Sequence, residues 1–201
     1  MPREQQVRAL VTRAHLVDVA GKEFAAHGWH GASVMQILST ADASKGALYF
    51  HFGSKEELAL AVIERAQQTA DAICLRWTHR PASPVDALYG MLGELARLYV
   101  DQPAYAAPFR LSSEPQFAEV TKGGLGMLRG PIRLLLERGV DDGYLENVNC
   151  ELLAGAIVVH LTGWMHLDRA SLPVGFQSTL DLLVRPRAVC ADATHRERIK
   201  L

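Results

Sequence analysis

Cysteine is scarce in this chain, and what there is does not pair. Cys74, Cys150 and Cys190 are odd in number and widely spaced, with no Cys-x-x-Cys, which argues against a disulfide framework or a structural zinc site. Long apolar runs are missing as well. The longest, Leu152 to Leu161, is too short for a membrane span and runs out at His160 and Thr162, so no membrane association is expected. Met1 to Arg13 is charged throughout and lacks the basic-then-apolar signal pattern, so a cytoplasmic location is expected. Neither sign of charge dominates: 21 Lys and Arg against 22 Asp and Glu leave a net −1, which excludes a generic polyanion binder. Sustained strand alternation is absent, pointing to an all-α protein.

Catalytic signatures are missing too. There is no His-Glu-x-x-His and no Gly-x-Ser-x-Gly. The glycines at 123, 124, 126 and 130 follow no strand and lack the lysine spacing of a phosphate loop. His160 and His166 stand six apart, which does not place them on one helix face for a shared metal. Neither an enzyme nor a metal or cofactor site is expected.

What is there is a dense run of helix signals between Ser33 and Leu58. Ser33, Ser44 and Ser54 each precede a helix-forming stretch and can cap its free amides. Glu57, three residues after Ser54, completes a capping box. Asp42 stands at the corner between the first two helices, where a short polar side chain tolerates a left-handed backbone. Two short helices across a tight turn make a helix-turn-helix, whose second helix enters a major groove about 12 Å wide. On that second helix Ser44, Lys45, Tyr49 and His51 offer hydroxyls, a cation and flat rings to phosphates and base edges. Ala47, Leu48, Phe50 and Phe52 are expected to pack on the domain, and Gly46 leaves room for close approach. Lys55 opposes the dipole at the start of the next helix, which a DNA phosphate there would explain. Residues 1–55 carry six cations (Arg3, Arg8, Arg13, Lys22, Lys45, Lys55) against four acids (Glu4, Asp18, Glu23, Asp42), the sign a DNA-binding head needs.

Around this run the periodicity predicts a first helix from Gln6 to Ala26, stopped by Gly28, and a fourth from Lys55 to Thr78 that links head to body. Further helices are expected over Val85–Asp101, around Ala104–Leu111, Ile132–Val140, Cys150–Asp168 and Phe176–Val184, with a loop after Leu111 and a frayed tail from Arg185.

The run Lys45-Gly46-Ala47-Leu48-Tyr49-Phe50-His51-Phe52, followed by Ser54-Lys55-Glu56 and preceded by Ala20 to Trp29, resembles the DNA-binding domain of TetR-type transcriptional repressors. The Tyr-Phe-His-Phe wording, with Arg110 to Glu114 downstream, is similar to the γ-butyrolactone-receptor branch. Two departures stand out. Asp42 replaces the usual turn glycine, and Leu125 or Met127 stands near the place of a pocket tryptophan.

The resemblance implies a helix-turn-helix DNA-binding domain over 1–54 and a helical ligand-binding and dimerisation bundle over 55–201. The expected function is a repressor that binds a palindromic double-stranded operator as a homodimer. A small, mostly apolar effector, γ-butyrolactone-like on the narrower resemblance, releases it. The DNA-contacting candidates are Ser33, Ser44, Lys45, Gly46, Tyr49, His51 and Lys55. The effector candidates are Trp77, Tyr89, Met91, Tyr99, Phe109, Met127, His160 and Trp164, which together supply aromatic, soft and hydrogen-bonding walls. The apolar stretches Leu152–Leu167 and Phe176–Val184 are the expected dimer surface. The alternative is a DNA-binding regulator controlled by a protein partner, with no small ligand.

Overall fold

The computed structural model describes residues 2–121, 125–167 and 169–184; Cys190, Gly123, Gly124 and the tail from Arg185 lie outside them. Among the described residues the chain is helical without strands: α1 (Pro2–Gly31), α2 (Val34–Thr40), α3 (Lys45–His51), α4 (Lys55–Thr78), α5 (Pro84–Asp101), α6 (Ala107–Leu111), α7 (Pro115–Thr121), α8 (Arg129–Asp141), α9 (Cys150–Leu167) and α10 (Leu172–Leu183). Short 3-10 turns at Pro103–Ala106 and Gly126–Leu128 lead into α6 and α8.

The local signals act as their chemistry dictates. Ser33 Oγ accepts from the Gln36 amide (3.4 Å), Ser44 Oγ from Ala47 (3.1 Å) and Ser54 Oγ from Glu57 (3.1 Å), so all three helices of the run are capped. Glu57 reaches back to the amide of Gly53 at 2.7 Å rather than to that of Ser54, shifting the capping box by one residue. Asp42 has φ 48°, and Gly28 breaks α1 at φ 67°.

Two apolar cores result. The head core gathers Leu16, Phe24, Ile37, Leu48 and Leu58. The body core gathers Leu88, Leu92, Ile132, Ile157 and Phe176. Helix α4 takes part in both, with Leu58 and Val62 in the first and Ala70 and Ile73 in the second. Ala107, Leu111 and Phe117, from α6 and α7, complete the head core rather than the body's.

Where a loop is expected after Leu111, helix α7 forms instead. Pro115 occupies its first position, where a missing N–H costs nothing, and Phe117 is driven into the head core. Likewise α10 begins at Leu172, four residues before Phe176, with Pro173 in its first turn.

Candidate functional site

The seven residues of α3 divide by exposure, with Ala47 and His51 half-buried. Leu48 and, just after the helix, Phe52 are buried, whereas Lys45, Gly46, Tyr49 and Phe50 face solvent. Phe50 departs from expectation: it is 78% exposed, with its ring edge-on to that of His51, centroids 5.0 Å apart. Lys45 stands over the Tyr49 ring at 5.9 Å, keeping its ammonium at the protein surface. A Cβ on Gly46 would meet only Ser44 Oγ, at 3.8 Å, so the chain's own packing does not call for glycine there. Ser33 and Ser44 are exposed, and their hydroxyls are engaged as caps. Beside this face, α2 presents Met35, also exposed and unmarked by any sequence signal beyond its place in the motif. The surface is a short cationic and aromatic ridge with two apolar tips, suited to phosphates and to thymine methyl groups.

Lys55 has a different task from the one its position suggests. Its Nζ donates to the carbonyls of Trp29 (2.5 Å) and Ala32 (2.7 Å) and stands 4.5 Å from the Trp29 ring centroid. Desolvation lowers its pKa from the usual lysine value, against the pull of Glu23. Lys55, expected at a phosphate, has its ammonium engaged on these two carbonyls, where the side chain ties the end of α1 to the start of α4. The sequence showed a cation at a helix N-terminus but not the carbonyls of Trp29 and Ala32 beside it.

In the body, a small cavity of about 20 Å³ is lined by Tyr99, Phe109 and Met127, with Gln67, Tyr105 and Met165 among the other walls. It has room for about one water, far less than a small-ligand site, so its walls must part to admit anything larger.

The other effector candidates lie on separate seams. The Trp77 indole donates to Glu94 at 2.7 Å and packs where any Cβ on Gly90 would collide, within 2.2 Å. Tyr89 donates to Asp181 of α10 at 2.8 Å, Met91 is sealed in the body core, and Trp164 covers Gly175 of α10. His160 is exposed on α9. Trp77, Tyr89, Met91, His160 and Trp164 thus do not line this cavity, because helix pairing has already consumed or displaced their side chains. Gln67, Tyr105 and Met165 were missed; Gln67 had one usable signal, an amide within the otherwise apolar period of α4.

On the far side, α9 and α10 carry an uncovered apolar face built from Leu152, Val159, Leu167, Val174 and Leu182. Helix α9 extends beyond the Leu152–Leu161 run at both ends and, contrary to the expectation from that run, is with mean hydropathy 1.3 over 18 residues long and apolar enough to cross a membrane by length and composition alone. It packs instead against α8 and α10 along Ala154, Ile157 and Leu161.

Residues 16–62 match the profile of "Bacterial regulatory proteins, tetR family". The chain is 40% identical over 67 residues to the A-factor receptor protein of Streptomyces griseus, a match covering 33% of this chain and only 24% of that protein. It is 27% identical over 175 residues to the transcriptional repressor AcnR of Corynebacterium glutamicum, covering 86% of this chain and 90% of the relative. A crystal structure described as a gamma-butyrolactone receptor (ArpA like protein) superposes with a TM-score of 0.76 at 25% identity, covering 88% of this chain and 89% of the other.

Proposed function

We propose that this chain, whose residues 16–62 match the TetR-family profile, is a ligand-responsive transcriptional repressor that binds a palindromic operator as a homodimer. The observation that carries this reading is the exposed face of α3, where Lys45, Tyr49 and Phe50 project with no partner inside the head that requires them outward. We take residues 1–54 as the DNA-binding domain and 55–201 as the effector and dimerisation domain, with α6 and α7 lending side chains to the head's core. The apolar face of α9 and α10 supports pairing of two copies into a four-helix core, which sets two heads about 34 Å apart for successive major grooves. The protein works beside DNA, in the cytoplasm.

Lys45→Ala and Tyr49→Phe each weaken operator binding with fold and dimer intact. Lys45→Ala also flattens the salt dependence by about one unit of slope. Fluorescence anisotropy across a salt series checks this, and unchanged affinity in both variants counts against α3 as the groove-reading helix.

Effector release follows from where the cavity lies. Tyr105 and Phe109 form one wall, on the segment 103–111, whose other residues Ala104, Ala107 and Leu111 pack toward α1. The contact is tight: a Cβ on Gly21 would stand 2.7 Å from Ala104 Cβ and 3.2 Å from its Cα. An effector that parts the cavity pushes this segment, and α4 with it, against the head. Differential binding worth ~1–3 kcal/mol changes DNA affinity by about 5- to 150-fold. Gly21→Ala drives the same displacement without effector, so its operator affinity falls toward the released level. A folded Gly21→Ala protein that binds operator as wild type does, in a gel-shift titration, contradicts transmission through this contact.

The narrowness of the cavity supports the alternative, control by a protein partner without small ligand. Thermal-shift screening against small neutral metabolites separates the two.

A further inference from the structure

Where the end of α1 meets α6, the link from α6 to α7 and the last turns of α9, the surface is hollowed into an open groove of about 490 Å³. That volume admits a small ligand without any wall having to part. One side of the groove is apolar, built from Trp29, Phe109 and Met165. Phe109 and Met165 are also walls of the small body cavity, so the two voids share a partition. The other side is polar. It carries one guanidinium (Arg110), three imidazoles (His27, His30, His166) and one carboxylate (Glu114).

That carboxylate is already taken. Glu114 stands 3.2 Å from His30 Nε2, and His27 Nε2 lies 3.8 Å from the Glu23 carboxylate. Arg110 and His166 are left over. Arg110 is exposed, and its guanidinium meets no acceptor among the described residues. His166 sets its ring edgewise to Phe109, centroids 4.7 Å apart, and its ring nitrogens likewise meet no partner among the described residues. The imidazoles do not converge into a cluster fit for a metal ion among those residues. An unpaired arginine fork and an unpaired imidazole thus share one groove with an aromatic wall.

We propose that this groove is a binding site for an amphipathic carboxylic acid, its carboxylate on Arg110 and His166 and its apolar body along Trp29, Phe109 and Met165. A guanidinium fork matches a carboxylate bidentately, and an imidazole adds an N–H in either protonation state. A cation has no free acid to meet there, and a neutral molecule gains nothing from the unpaired guanidinium. Arg110 stands on α6, which packs with the head, and His166 on α9 of the body, so one bound molecule joins the two parts of the chain. The site is separate from the effector cavity, its occupant differs in charge, and it goes beyond the proposed function.

Calorimetric titration of the full chain with 2-naphthylacetate, its uncharged amide and inorganic phosphate tests the assignment. The acid is expected to bind with a Kd below about 1 mM and at least about tenfold more tightly than the amide, because charge-assisted hydrogen bonds are the stronger kind. Arg110→Gln, at an exposed position, brings the acid down to the amide's affinity and leaves the melting temperature unchanged. Arg110→Lys keeps the charge but loses the fork, and falls between the two. His166→Ala weakens the acid about 2- to 10-fold, as loss of one hydrogen bond from the α9 side should. Phosphate, which has no apolar body, does not displace the acid at equal concentration. Undetectable binding of the acid at millimolar concentration overturns the proposal, as does an amide bound equally well. So does an Arg110→Gln or His166→Ala protein that binds the acid as wild type does. Displacement by equimolar phosphate reduces the groove to an unselective anion patch and overturns it too. None of these titrations involves DNA, so this site and the repressor function fail separately.

Discussion

Val159→Glu leaves each protomer folded, turns the protein monomeric at micromolar concentration and lowers operator affinity by about 10²- to 10⁴-fold, the avidity a linked second head supplies. Val159 is 73% exposed in the isolated protomer, so a glutamate there is solvated and costs the monomer little. In a two-fold dimer across α9 and α10 the same carboxylate enters an apolar surface with no cation opposite it. An unpaired buried charge costs several kcal/mol, and symmetry counts it twice. Leu161→Glu is the control, because Leu161 is 0% exposed and belongs to the protomer's own core. That variant should unfold the body rather than separate the dimer. Analytical ultracentrifugation with circular dichroism tells the two apart, and a Val159→Glu protein that still sediments as a dimer counts against this interface.

Lys55→Ala is expected to lower the melting temperature by about 5–10 °C, because two charge-assisted hydrogen bonds to carbonyls are worth about 2–3 kcal/mol together. The two bonds close the path from the end of α1 into α2, and α2 supports α3 across the turn at Asp42. Operator affinity falls through loss of that support. The salt slope, however, stays at the wild-type value, because a lysine spent on carbonyls neutralises no phosphate. Lys45→Ala behaves the other way, with stability unchanged and the slope reduced. A reduced slope in Lys55→Ala with unchanged stability returns Lys55 to the phosphate contact that its position first suggests.

The helix-turn-helix was legible because its signals are local. A cap serine reaches an amide three residues on, and Asp42 needs only its own backbone to make the turn. Phe50 was misread because α3 spans barely two turns, too few for periodicity to separate an inward aromatic from an outward one. Pro115 read as a breaker, but at the first position of a helix proline is a starter, and only the pull of Phe117 into the head core decides between them. The faces of α9 were beyond reach: the helix is apolar all round, and Val159 and Leu161 differ only in what packs against them. The effector candidates fared as unevenly for a related reason. Aromatic residues on amphipathic helices first serve helix pairing, as Trp77 does against Gly90 and Trp164 against Gly175, and the sequence does not say which are left to line a void.

Footprinting on DNA from immediately upstream of the protein's own gene, with and without γ-decalactone, tests the central claim most directly. The expected result is a protected two-fold-symmetric site whose half-sites are centred about one helical turn, or a multiple of it, apart, lost on adding lactone and absent with Lys45→Ala/Tyr49→Phe. Protection without symmetry, or protection that the double variant reproduces, contradicts a dimeric repressor reading DNA through α3.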